Sequence, residues 1–254
     1  MTSSNPSKVA LVTGGGTGIG RASAMALQAA GFHVVITGRR QEALDETLSL
    51  AKGKGPDMLA IVADVSQGAA VKSLFAKIQS QFGRLDVLFN NAGIGAPRVP
   101  IEELSEEDWR KTVDINLTGS FLCAQAAFAL MKSQDPQGGR IINNGSISAY
   151  APRPNTWAYT STKHAVSGLT KCIALDGRPF KIAASQLDIG NAETAIGERF
   201  KFGVPQANGQ VMVEPTIDPT HCGEAVAYMA GLPLDANVLN MTLMATNMPF
   251  VGRG

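Results

Sequence analysis

The chain has 254 residues, 44% hydrophobic and 17% charged, with a net charge of +1. This balance fits one globular α/β unit with a sizeable core, read as a single domain over 1–254, and excludes a global basic field for nucleic acid or an anionic membrane. No apolar run approaches the ~18 residues of a spanning helix, and the polar start "MTSSNPSK" reads as neither signal peptide nor anchor, so the expected location is cytoplasmic.

Short apolar runs alternate with helical patterns. "KVALVT" (Lys8–Thr13) reads as a buried strand, and a helix follows from about Gly18 to Ala30. "HVVITG" is the next strand, then a helix through "RQEALDETLSLAK". "MLAIVAD" is a third strand, followed by the helix "GAAVKSLFAKIQSQFG". "LDVLFNNAG" is a fourth. A long helix is expected over roughly Ser105 to Met131, with Ser105 as its N-cap and Asp108 three residues on. "GRIINNGS" is a fifth strand, and "WAYTSTKHAVSGLTK" is helical. "FKIAASQLDIG" is a sixth strand, "THCGEAVAYMAG" a helix and "NVLNMTLMA" a last strand. Strand–helix alternation with continuous apolar strands predicts an α/β fold of about seven strands, a parallel sheet covered on both faces. The Gly- and Pro-rich stretch from about Asn191 to Thr220 is left as a long loop over a substrate site.

The three cysteines, Cys123, Cys172 and Cys222, are too dispersed for a disulfide framework or a metal site and read as buried small hydrophobes. No metal site is expected. The three histidines show no ligand spacing and read as structural or exposed. Beside Lys163, His164 points about 100° away around the helix and drops out as a base.

"TGGGTGIG" (Thr13–Gly20) follows the first strand and opens the first helix. Gly14, Gly18 and Gly20 permit a tight turn and close backbone approach. The helix N-terminus would offer free N–H groups to a pyrophosphate. The alternative is a Gly-rich turn with no ligand. Asn90, Ala92 and Gly93, in "NNAG", end the fourth strand on the same carboxyl edge. Tyr159 and Lys163 are four residues apart, so they share a helix face. Y-x-x-x-K also arises by chance on helices, as a packed Tyr beside a solvated Lys.

Together, Thr13-Gly14-x-x-x-Gly18-Ile19-Gly20, "NNAG" at Asn90–Gly93 and Tyr159-x-x-x-Lys163 resemble the short-chain dehydrogenase/reductase family, in order and over essentially the whole chain. The resemblance implies a Rossmann-type, doubly wound parallel sheet and a nicotinamide cofactor in contact with Gly14, Thr17, Gly18, Ile19 and Gly20. It implies that Asp64 contacts the adenine with Val65 near the ring; the alternative is a turn or N-cap aspartate. It implies that Asn90, Ala92 and Gly93 line the cofactor and prop the sheet.

Gly190 and Thr194 match the segment that binds the nicotinamide carboxamide, with Ile189 where the family usually has proline. The tail "LMATNMPFVGRG" also departs from the family pattern. Homodimers or homotetramers, built partly on the long fourth and Tyr-bearing helices, are implied as well.

The second strand ends in "VVITGRR". Gly38 stands where a carboxylate would hold a ribose 2′-OH, and Arg39 and Arg40 follow. A 2′-phosphate is therefore welcome, which favours NADP(H) over NAD(H). The alternative has one or both arginines opening the next helix on a solvated face.

Hydride transfer at a carbonyl carbon needs a matching proton on oxygen. A free tyrosine, with a pKa near ~10, is a poor base at neutral pH. A nearby cation lowers that value, and Lys163 is placed to supply one to Tyr159. Ser146 ends the fifth strand, where a hydroxyl can hold a substrate oxygen near Tyr159. The family's serine spacing selects it over Ser148. Asn116 matches the family's helix asparagine, which implies that it orients Lys163 through a water and local backbone.

Trp157, Tyr150, Phe200, Phe202 and Met212 offer an apolar pocket, and Arg98 or Arg153 an acid-binding group, although surface positions are the simpler reading for both arginines. The expected activity is reduction of a ketone or aldehyde, reversibly oxidation of a secondary alcohol, with a small-molecule carbonyl or alcohol as partner. Two rivals are weighed. One is a catalytically idle NADP(H)-binding sensor or scaffold, against which Ser146, Tyr159 and Lys163 speak. The other is a dehalogenase on this scaffold, against which Lys163 and the glycine turn speak.

Overall fold

The computed structural model describes residues 8–195 and 197–251. Met1–Ser7, Ile196 and Gly252–Gly254, which belong to the polar start, the loop and the tail read above, lie outside the described residues.

In chain order the elements are β1 (Val9–Thr13), α1 (Gly18–Ala29), β2 (His33–Gly38), α2 (Gln41–Ala51), β3 (Leu59–Val62), α3 (Gly68–Phe82) and β4 (Val87–Asn90). Then follow α4 (Glu106–Val113), α5 (Gly119–Ser133), β5 (Gly139–Asn144), α6 (Trp157–Asp176), β6 (Ile182–Ile189), β7 (Val204–Pro205), β8 (Val211–Met212), α7 (Pro219–Gly231) and β9 (Asn240–Leu243).

Seven strands form one parallel sheet in the order β3-β2-β1-β4-β5-β6-β9. The chain runs outward from β1 through β3, then returns to start again at β4 on the other side. That makes the β1/β4 junction the topological switch point, where open α/β sheets hold ligands at the strand carboxyl ends. Side chains alternate along the strands. Val9 and Leu11 join one core with α3 and α5, while Ala10 and Val12 join the other with α1 and α7. This is the doubly wound α/β architecture expected from the alternating pattern.

The expected long helix is present, capped as read: Ser105 Oγ accepts from the Asp108 N–H at 3.0 Å. It is interrupted by a π turn over Asp114–Thr118, so α4 and α5 are one helical rod with a bulge. The joined rod, Glu106–Ser133, is by length and composition long and apolar enough to cross a membrane. This differs from the expectation of no such run. Polar Asn116, Thr118 and Ser120 break the continuous apolar stretch without making the rod polar on average. Here it lies on the sheet, with Cys123, Ala127, Leu130 and Met131 in the core.

The last strand is shorter than read. Its pairing runs only over Asn240–Leu243, with Ile189 opposite Leu243. Isoleucine keeps the N–H that proline lacks, so β6 runs unbroken to the edge of Gly190. The expected loop carries structure of its own: a turn at Glu198–Lys201, the antiparallel β7/β8 hairpin and a bridge between Ala192 and Ile217. Cys123 and Cys222 are buried, and burial pushes both thiols up to about 12. Cys172 is exposed, contrary to expectation, because it faces outward on α6.

Candidate active site

The glycine turn joins β1 to α1 at the switch point. Gly18 has φ +51°, a left-handed conformation that favours glycine, and a Cβ there would lie 3.0 Å from Thr194 Cγ2 across the cleft. The Thr17 side chain does not cap α1, which leaves the first-turn N–H groups facing the cleft. Arg21 braces the turn from behind by donating to the Gly16 carbonyl at 2.6 Å and to Glu46 at 2.6 Å. Thr47 Oγ1 also donates to the Gly15 carbonyl. Thr13 Oγ1 accepts from the Asn91 and Ala92 N–H groups, both at 2.9 Å, tying the turn to the end of β4.

Two clefts meet at this turn. The first, about 250 Å³, is bordered by Gly14, Thr17, Gly18, Ile19 and Gly20 on one side. Ser146, Tyr159, Lys163, Gly190 and Thr194 lie on its other side. The second, about 180 Å³, is bordered by Arg39, Arg40, Asp64 and Val65. Gly14, Thr17, Ala92 and Gly93 border both, so the pair forms one elongated trough. Residues far apart in sequence thus converge on one trough.

At the deep end, Lys163 Nζ donates to the Asn144 carbonyl at 2.6 Å and lies 5.6 Å from the centroid of the Tyr159 ring. Among the described residues no hydrogen bond engages the Tyr159 hydroxyl. Ser146 Oγ accepts from the Ser148 N–H at 3.1 Å, which leaves its own proton available to the cleft. Tyr150, the other tyrosine of this region, is differently committed: its hydroxyl donates to Asp188 Oδ2 at 2.8 Å. Burial, then the bond to the Asp188 carboxylate and its charge, raises the Tyr150 phenol above its ordinary value.

Several expected contacts are differently made. Asn90 borders neither cleft; it is buried, and its amide donates to the Ser120 carbonyl and to Asn143 Oδ1. Its β4 position points it into the sheet's interior, so it props rather than lines. Asn116 is also buried, in the π turn, and clamps Ile94 by accepting from its N–H at 2.8 Å and donating to its carbonyl at 3.0 Å. Its amide also reaches Thr162 Oγ1, the residue before Lys163, at 3.4 Å. Asp64 Oδ1 accepts from the Ser66 N–H and hydroxyl, a turn-forming use alongside its place on the trough.

Of the aromatic pocket residues only Phe200 borders the cleft; Phe202 is 80% exposed and Met212, Tyr150 and Trp157 also face outward. Met212 lies on the exposed hairpin, whereas Tyr150 and Trp157 lie before and at the start of α6, where the Tyr150 hydroxyl reaches Asp188 and Trp157 Nε1 donates to the Val99 carbonyl.

Arg153 is not at the surface. It is 7% exposed and donates to both Glu214 oxygens and to Asn191 Oδ1. Gln206 and Asn191 also donate to Glu214. One buried cluster therefore ties the segment before α6, the segment after β6 and the loop hairpin together. Burial alone would raise the Glu214 carboxyl, but hydrogen bonds from Arg153, Asn191 and Gln206 and the Arg153 charge outweigh it, lowering the group to about 2. The folded value is thus below the ordinary 4.5, so this contribution to stability is complete above about 4.5 and lost as pH falls toward about 2. Melting curves should show Tm falling across that window, and Glu214→Gln should show a smaller fall over the same range.

Sequence reasoning did not single out Asn91, Asn144, Asp188 or the role of Arg153. The signal was polar residues inside apolar strands, "IINN" and "SQLDI", where each buried polar group must find a partner.

A profile of the short chain dehydrogenases matches residues 8–201. This chain belongs to the short-chain dehydrogenase/reductase family. As a short-chain dehydrogenase/reductase it is an oxidoreductase. It is 40% identical over 195 residues to a 3beta-hydroxysteroid dehydrogenase of Mediterraneibacter gnavus, covering 76% of this chain and 68% of that one. Its fold matches the alcohol dehydrogenase of the archaeon Thermococcus sibiricus complexed with 5-hydroxy-NADP. The TM-score is 0.82 at 27% identity, over 95% of this chain and 97% of that one. It also matches the 3-ketoacyl-(acyl-carrier-protein) reductase of Brucella melitensis complexed with NADH. There the TM-score is 0.83 at 28% identity, over 94% and 98% of the two chains.

Proposed function

We propose that this short-chain dehydrogenase/reductase is an NADPH-dependent carbonyl reductase, reversibly a secondary-alcohol dehydrogenase. The observation that carries this reading is the shared cleft: Ser146, Tyr159 and Lys163 border the same cavity as the glycine turn. A nicotinamide dinucleotide suits the donor set. The uncapped N-terminus of α1 would hold its pyrophosphate, Gly190 and Thr194 its carboxamide end, and Asp64 and Val65 its adenine end. When bound, the reduced cofactor supplies the hydride.

The remaining work falls to the chain. Ser146 Oγ–H donates to the substrate oxygen and holds it beside Tyr159. Tyr159 gives its proton to that oxygen as the carbonyl is reduced, and takes it back in the oxidative direction. Lys163 contributes a positive charge beside the ring, stabilising the phenolate that forms. Asn116 holds Ile94 and thereby the wall opposite. Both the relatives' cofactors and their substrates vary, from a steroid to an acyl-carrier ketone in name, and either class of carbonyl is open here. A homodimer or homotetramer is proposed through α4, α5 and α6, where Trp109, Phe121 and Leu175 are exposed apolar groups.

The test is a panel of ketones, aldehydes and secondary alcohols read by absorbance of the reduced cofactor. Turnover on any member supports the reading; cofactor binding with no turnover on the whole panel would favour an idle sensor. NADP(H) preference rests on Arg39, exposed on the second cleft with no acid at Gly38. Arg39→Ala should lower the NADPH-over-NADH ratio of kcat/KM by roughly tenfold, the order of one charge-assisted hydrogen bond. An unchanged ratio would remove the 2′-phosphate argument.

A further inference from the structure

Asp188 is a carboxylate with no route to solvent of its own. It is 0% exposed, on β6 two residues before Gly190. Oδ1 accepts from the Ser146 N–H at 2.8 Å and from Gln186 Nε2 at 2.8 Å. Oδ2 accepts from the Tyr150 hydroxyl at 2.8 Å and from Asn240 Nδ2 at 2.7 Å. All four partners are donors, and among the described residues no ion pair engages the group. Ser146 and Gln186 are buried, so releasing either of their N–H donors would leave it without a partner in the interior.

What Asp188 holds is the turn that carries Ser146. The contact is close enough to set the sequence there: a Cβ on Gly145 would lie 2.0 Å from Asp188 Oδ1. The turn is supported again on its far side. Ile147 packs with Ala245 and Met248 of the tail, and the Tyr150 ring meets Phe250 edge-on at 6.4 Å. Behind Asp188 the polar chain continues inward. Gln186 accepts from Thr170, Thr170 accepts from Asn143, and Asn143 accepts from Asn90. Asp188 and Tyr150 do not border the cleft, so neither touches substrate directly.

We infer that Asp188 is a positioning residue for Ser146. By taking the Ser146 N–H it locks the serine in the extended conformation in which Oγ accepts from Ser148 and turns its proton to the cleft. The atypical tail and Asn240 of β9 complete this support. The inference rests on the proposed role of Ser146 in holding the substrate oxygen.

The experiment is a mutant cycle on the full-length protein, with kcat, KM for the carbonyl, and cofactor affinity by NADPH fluorescence measured for each variant. Ser146→Ala is the reference, expected to lose roughly 10²–10³-fold in kcat, as for loss of one oriented donor to a developing oxyanion. Asp188→Ala should show a loss of the same order, with NADPH affinity within about threefold of native. Adding Ser146→Ala to it should cost nothing further, because both changes remove one oriented hydroxyl.

Asp188→Asn should return kcat to within about tenfold of native. Its oxygen can still take the Ser146 N–H while Tyr150 and Asn240 reorient to accept. Gly145→Ala offers a second route that keeps the carboxylate: its methyl displaces the turn, and kcat should fall as in Asp188→Ala. Losses that multiply between Ser146→Ala and Asp188→Ala would overturn the inference, as would native kcat in both Asp188→Ala and Gly145→Ala. Native turnover in Ser146→Ala would instead overturn the reading of Ser146, and the inference with it.

Discussion

Tyr159→Phe should lower turnover by roughly 10²–10⁴-fold, the usual worth of a positioned general acid. The substitution removes one oxygen from a ring that borders the cleft and whose hydroxyl has no protein partner among the described residues. Packing on α6 is therefore expected to change little. Lys163 would keep its bond to the Asn144 carbonyl. NADPH binding, followed by fluorescence, should stay within about threefold of native, since the glycine turn and the Arg39 end of the trough are untouched. The loss should fall on kcat and kcat/KM together, because the proton is transferred only as the reaction proceeds. Full turnover in the variant on any accepted carbonyl would exclude Tyr159 as the proton donor. Tyr150 is not a ready substitute, because its hydroxyl is held by Asp188.

Arg153→Ala should destabilise the protein by about 3–5 kcal/mol, the cost of leaving a buried charge without its ion-pair partner. For a chain of this size that corresponds to a fall in Tm of roughly 6–20 °C. The side chains of Arg153 and Glu214 are 6% and 0% exposed, with the closest approach at 2.5 Å. Asn191 and Gln206 cannot supply a compensating charge. The double variant Arg153→Met, Glu214→Leu should recover much of the loss, since it removes both charges together. A single-variant change below about 1 kcal/mol, the scale of an exposed pair, would show that the cluster is not closed to water in solution. Because the cluster joins the loop hairpin to the segment before α6, the single variant should also raise KM for the carbonyl.

The strand runs, their alternation with helices and the glycine turn after β1 were all legible in the sequence, because each depends on local pattern: periodicity, short apolar runs and positive-φ glycines. Ser105 as a cap was legible for the same reason. The π turn at Asp114–Thr118 was not, since no residue there breaks the helical pattern. The hairpin inside the expected loop was missed because each of its strands is only two residues long. Asn90 was read as both lining the cofactor and propping the sheet, and only the register of β4 against β5 shows its amide spent inside the sheet. Arg153 read as a surface residue because nothing local announces a partner sixty-one residues away at Glu214.

By itself, then, the sequence determined the α/β class, the family and the order of the motif residues, since these follow from spacing along the chain. Tertiary structure alone decided which of those residues share the cleft and which ones support it. Asp188 beneath Ser146, Arg153 against Glu214 and the tail against Ile147 are pairings between distant strands and loops. Such contacts are set by strand order and burial, which place a polar group beside its partner only once the sheet has assembled.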